Sequence, residues 1–110
     1  MGKISKVKVG INGYGTIGRR VAEAILRQPD MELVGVTKAT PDYRMEEAQN
    51  RGIRVFSVNG ARQFEDAGYS VEGSLNGMLQ GCDAVVDCAP KGHGAANLAL
   101  MERSDAQIAE

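Results

Sequence analysis

Tryptophan is absent from this 110-residue chain and aromatics make up only 5 % of it, so most of any core must come from aliphatic side chains. There is a single histidine and there are two cysteines, Cys82 and Cys88. That is too few, at the wrong spacing, for the usual metal-ligand clusters or for a disulfide framework, so no metal is expected. Nor is there an excess of either charge: 13 basic residues face 14 acidic ones. This excludes the basic footprint of nucleic-acid binding or of attachment to an anionic membrane. No apolar run approaches the length of a membrane span. The start, Met1 to Lys6, lacks the apolar stretch of a secretory signal, and the expected location is cytoplasmic. Repeats and low-complexity tracts are missing too, and the length allows one domain with a modest core.

What the chain does have is an apolar strand running directly into a glycine loop. Val7, Val9 and Ile11 alternate, and Gly13, Gly15 and Gly18 then fall at G-x-G-x-x-G spacing. Each glycine has a separate task in this pattern: the first for a tight turn, the second for close approach of a pyrophosphate, the third for packing helix on strand. The anion would sit at the helix N-terminus, where unpaired N–H groups and the positive end of the helix dipole favour it. The helix continues through Val21, Ala24 and Ile25, with Glu23 and Arg27 on its outer face, and ends before Pro29.

Glu32 to Thr37 is a continuous apolar run, as expected of a strand covered on both faces. Strand, helix and strand in this length make a right-handed βαβ unit. Further along, a turn over Ala39 to Asp42 precedes a helix over Tyr43 to Arg51, stopped by Gly52. A strand is expected over Ile53 to Val58, a short helix over Gln63 to Ala67, a short strand over Tyr69 to Glu72 and a helical turn over Leu75 to Leu79. Asp83 to Cys88 reads as another buried strand, Ala95 to Arg103 as a helix, and Ser104 to Glu110 as a tail that completes no strand. The expected fold class is α/β: a Rossmann-type, mostly parallel, doubly wound sheet with helices on both faces, truncated before its last strands. An uncovered sheet edge would then invite self-association.

Preference between dinucleotides is read at the end of the second strand, where a carboxylate favours NAD by accepting from the ribose 2′-hydroxyl. Here that strand ends in Thr37 and Lys38. A hydroxyl and a cation predict that NADP is accepted and NAD is not excluded. Pro90, Lys91, Gly92, His93 and Gly94 follow a later strand at the same edge of the sheet, and their backbone is expected to border the cofactor. His93 has no visible partner to make it a base. Cys82 and Cys88 lack the helix N-terminus and base that a thiolate nucleophile needs, so both read as structural.

Val9 to Ala22 resembles archaeal-type phosphorylating glyceraldehyde-3-phosphate dehydrogenase. The resemblance continues through Met31 to Lys38, Val71 to Leu75 and Val85 to Pro90. It implies a cofactor loop of Gly13, Tyr14, Gly15, Thr16, Ile17 and Gly18, a 2′-phosphate position at Thr37 and Lys38, and a flanking loop at Pro90, Lys91 and Gly92. That family oxidises an aldehyde with NAD or NADP and phosphate through a cysteine in a Ser-Cys-Asn-Thr-Thr context. Nothing around Cys82 or Cys88 matches that context. The resemblance therefore implies an NAD(P)-binding domain over 1–110 without the catalytic domain, inactive by itself and without catalytic residues. Its expected partners are NADP or NAD, together with a second copy or the missing domain. The competing reading is a stand-alone dinucleotide-sensing module completed by a partner chain.

Overall fold

The computed structural model describes residues 6–88 and 107–109. Its elements run β1 (Val7–Asn12), α1 (Thr16–Leu26), β2 (Met31–Lys38), α2 (Arg44–Asn50), β3 (Val55–Ser57), α3 (Arg62–Asp66), α4 (Leu75–Gln80), β4 (Ala84–Asp87) and β5 (Gln107–Ala109). The strands form one sheet in the order β3-β2-β1-β4-β5. All four neighbouring pairs are parallel. The chain builds outward from β1 to β3, then returns to lay β4 on the other side of β1. Strand order therefore reverses between β1 and β4, whose carboxyl ends stand side by side at one edge of the sheet.

Two apolar clusters cover the two faces of the sheet. Val9, Ile11 and Val36 pack with Ala22 and Ile25 of α1, Met45 and Ala48 of α2, and Phe64 of α3. Val85 and Phe56 pack on the other face with Leu75, Met78 and Leu79 of α4. In α1 the buried residues Gly18, Ala22 and Ile25 recur at helical spacing, so one stripe of the helix meets the sheet. Ile11, Val36 and Val85 are wholly buried, and each such side chain contributes about 1.5–3 kcal/mol from burial. The doubly wound expectation holds.

The β1–β2 register slips by one residue, from Val9 opposite Leu33 to Gly10 opposite Gly35, leaving Val34 as the extra residue. Leu33 and Val36 thus serve one cluster, while Val34 joins the other. The slip also carries Thr37 to the place beside Asn12.

Two local expectations need correction. Ser104 to Glu110 was expected to complete no strand, yet Gln107–Ala109 pairs in parallel with β4, with Ile108 opposite Val85. Three residues carry no readable periodicity, and this strand exists through pairing with a distant neighbour. The outer edge of β4 is therefore covered. Tyr69 to Glu72 was expected to be a short strand, but it forms no ladder. Instead the Glu72 N–H donates to the Val55 carbonyl at 2.8 Å and the Ser57 N–H donates to the Gly73 carbonyl at 2.8 Å. Those bonds cap the exposed edge of β3 without extending the sheet. The expected helix over Ala95 to Arg103 lies outside the described residues.

Candidate dinucleotide site

The turn after β1 is organised by a buried polar chain crossing three strands. The Gly13 N–H donates to Thr37 Oγ1 at 2.9 Å. The Thr37 hydroxyl donates to Asn12 Oδ1 at 2.8 Å. Asn12 Nδ2 donates in turn to Asp87 Oδ1 at 3.1 Å. Asn12 and Thr37 are fully buried, so these bonds satisfy groups that would otherwise be costly to desolvate. Asn12 pairs with Asp87 across the β1–β4 ladder, at the point where strand order reverses.

The three loop glycines separate by cause. Gly13 has φ of 107°, a left-handed conformation that a Cβ would strain. A Cβ at Gly18 would overlap the carbonyl oxygen of Gly13, so α1 can seat on the turn only if that residue is glycine. Gly15 has φ of −96°, open to any residue. A Cβ there would meet no atom of the described residues within 4 Å. The fold makes no demand for glycine at this position; its bare backbone faces open space.

That space lies at the start of α1. Gly15 is the N-cap, no side chain among the described residues caps the helix, and its first turn contains no acidic residue. The first helical hydrogen bond runs from the Arg19 N–H to the Gly15 carbonyl at 2.9 Å. An 11-residue helix with such an end offers N–H groups and a positive dipole to an anion. Ile17, 67 % exposed on the first turn, adds an apolar wall.

The remaining predicted residues divide between side-chain and backbone roles. Thr16 is exposed beside Gly15. Tyr14 is only 2 % exposed, its ring in the core, so what it presents to the loop is its backbone. Its hydroxyl is buried without a hydrogen-bond partner among the described residues. Burial, with Glu47 and Glu23 nearby, pushes that hydroxyl above its ordinary pKa. Thr37 was expected to offer its hydroxyl to the ribose, but that hydroxyl is committed to Gly13 and Asn12. It holds the turn from below.

Lys38 stands at the carboxyl end of β2 as expected. It is not a free cation, however, because Nζ lies 2.7 Å from Asp42 Oδ2. Pro90, Lys91, Gly92 and His93 lie outside the described residues. Cys82 is buried and its thiol donates to the Met78 carbonyl at 3.2 Å. Burial, reinforced by the Asp83 charge, pushes it up to about 11.

Sequence reasoning missed Asn12, Asp42 and Arg44. Asn12 could have been noticed as an amide ending an apolar strand. Arg44 gives no local signal, since its guanidinium reaches Thr16 at 3.4 Å from another element.

A parallel sheet reversing between β1 and β4, with a glycine turn into an uncapped helix at that reversal, defines a Rossmann-type dinucleotide-binding domain. Residues 7–74 match the family described as glyceraldehyde 3-phosphate dehydrogenase, NAD binding domain. The chain belongs to the glyceraldehyde 3-phosphate dehydrogenase family and carries its NAD-binding domain. It is 52 % identical over 101 residues to the glyceraldehyde-3-phosphate dehydrogenase of Thermococcus kodakarensis, covering 90 % of this chain and 30 % of that one. Against the same-named protein of Aeropyrum pernix it is 52 % identical over 103 residues, covering 92 % and 30 %. The chain thus spans under a third of these relatives. Among solved structures, apo scyllo-inositol dehydrogenase from Lactobacillus casei superposes with a TM-score of 0.67 at 18 % identity, covering 96 % of this chain and 28 % of that one. At that identity the likeness concerns the fold alone.

Proposed function

We propose that residues 1–110 are the cofactor-binding part of a phosphorylating glyceraldehyde-3-phosphate dehydrogenase and that they accept NADP as well as NAD. The observation that carries the reading is Gly15, whose missing side chain the fold does not require. Space kept clear at an uncapped helix end fits a pyrophosphate. The backbone of Gly13 to Gly18 would hold the phosphates, and Ile17 would wall the site. Lys38, ending β2 where the adenosine ribose lies in this fold, supports tolerance of a 2′-phosphate.

A bound nicotinamide ring supplies a hydride acceptor, and what this chain contributes is orientation and charge complementarity. Aldehyde oxidation in glycolysis or gluconeogenesis is then the work of the whole enzyme, and the 110 residues alone carry none of it. A cytoplasmic setting belongs to the same reading, supported by two cysteines that are not paired with each other. Among the described residues, no helix is long and apolar enough to cross a membrane.

Calorimetric titration of the pure chain with NAD and with NADP tests the proposal. Saturable heat with both is expected. Absence of heat and of any thermal shift at millimolar nucleotide would overturn it.

A further inference from the structure

At the carboxyl end of β2, Asp42 is held through both of its carboxylate oxygens. Oδ2 takes Lys38 Nζ at 2.7 Å. Oδ1 takes the Arg44 N–H at 2.9 Å. The Lys38 side chain is only 10 % exposed and that of Asp42 35 %, so this is a fixed pair rather than two solvated side chains. Burial by itself would raise the Asp42 carboxyl; hydrogen bonds from Lys38 and from the Arg44 N–H, with both cations' charge, bring it net below its ordinary range. Arg44 adds a second cation. It spans from this corner to Thr16 on the first turn of α1 at 3.4 Å. Its guanidinium lies 5.1 Å from the centre of the Tyr43 ring, and its buried Nε has no hydrogen-bond partner among the described residues.

This corner therefore holds two cations and one carboxylate. A ribose 2′-hydroxyl can donate to a carboxylate without disturbing the pair. A 2′-phosphate arrives with two negative charges beside the Asp42 carboxylate, which repels it and already neutralises much of the Lys38 charge it would use. We infer that Asp42, acting through Lys38, sets the ratio of NADP to NAD affinity and keeps NAD competitive at a strand end that has no carboxylate of its own. The inference rests on the dinucleotide reading above. Asp42 lies four residues past the end of β2, in the turn before α2. It can do this because the turn folds back onto Lys38, which strand-end reasoning alone does not show.

Asp42→Asn keeps an acceptor for the Arg44 N–H and removes the charge. Titration of NADP and NAD into wild type and Asp42→Asn is expected to raise NADP affinity roughly tenfold, while NAD affinity stays level or falls. A ratio within twofold of wild type, with NAD still binding both proteins, would overturn the inference and leave the dinucleotide reading intact. Absence of binding to wild type would overturn both. If Asp42→Asn does not fold, as read by circular dichroism, Asp42→Ser is the substitute, since serine also caps such a turn. The same shift in ratio is expected of it, and an unchanged ratio counts against the inference in the same way.

Discussion

The Gly13 N–H donates to the Thr37 hydroxyl at 2.9 Å, so a residue near the end of the second strand holds the turn that begins at the end of the first. The bond is possible because the β2 bulge at Val34 shifts the register by one residue. Without that shift Val36 would stand beside Asn12, and the turn would lose its acceptor.

Replacing Thr37 with valine keeps the shape and removes both hydrogen bonds. A half-buried N–H and a buried amide oxygen would then lack partners, at a cost of about 1–3 kcal/mol. Urea denaturation should show that loss, with Thr37→Ser retaining most of the wild-type stability. NAD affinity should fall with Thr37→Val, because the loop amides lose their anchor. Equal stability of the valine and serine variants would show that the chain of bonds does not hold the turn.

The loop glycines should respond differently to alanine. Gly15→Ala meets open space and loses only the N-cap preference for glycine, so it should cost no more than about 1 kcal/mol, while weakening dinucleotide binding. Gly18→Ala drives a methyl into the Gly13 carbonyl and should destabilise by several times that amount. Paired denaturation and binding curves separate the two effects. Loss of stability at Gly15 without loss of binding would reverse the assignment.

Asp42 gives the corner at β2 a defined pH response. Its folded pKa lies below the ordinary carboxylate value of 3.8. An unfolded chain therefore takes up that proton first as pH falls, and the stabilisation present above pH 3.8 is lost as pH drops through the folded value. Wild type should exceed Asp42→Asn in stability near neutrality, and the gap should close as pH falls below 3.8. A gap that stays constant across that range would mean the ion pair does not stabilise the fold.

Cys82 is expected to resist alkylation. With its thiol pushed up to about 11 and its side chain buried, almost no thiolate is available at pH near 8. Mass spectrometry after iodoacetamide treatment should find Cys82 unlabelled in the folded chain and fully labelled in urea. The raised value also means that stability falls as pH rises from 9 towards 11, because the unfolded thiol ionises first. Rapid labelling of the folded chain would contradict the burial.

The parts of the fold legible in the sequence are those written locally. Val7 to Gly18 carries its strand period, its turn residues and its helix spacing within twelve consecutive positions, and every one of those elements is present. α1 ends where Pro29 required, and Lys38 stands at the strand end. What stayed hidden depends on distant partners. The strand at Gln107–Ala109 exists through β4, the commitment of Thr37 depends on a bulge, and the Lys38–Asp42 pair depends on how one turn folds back. Residue type and spacing do not encode any of these.

On the proposed function, bare backbone from Gly13 to Gly18 would receive the pyrophosphate. The most direct measurement is the set of backbone amide shifts in a nitrogen-15 spectrum as NAD is added. The Gly15, Thr16 and Ile17 amides are expected to move first and furthest, with Lys38 and Arg44 following. Saturating NAD that leaves those amides in place, or moves only amides distant from the carboxyl ends of β1 and β2, would contradict this placement of the pyrophosphate.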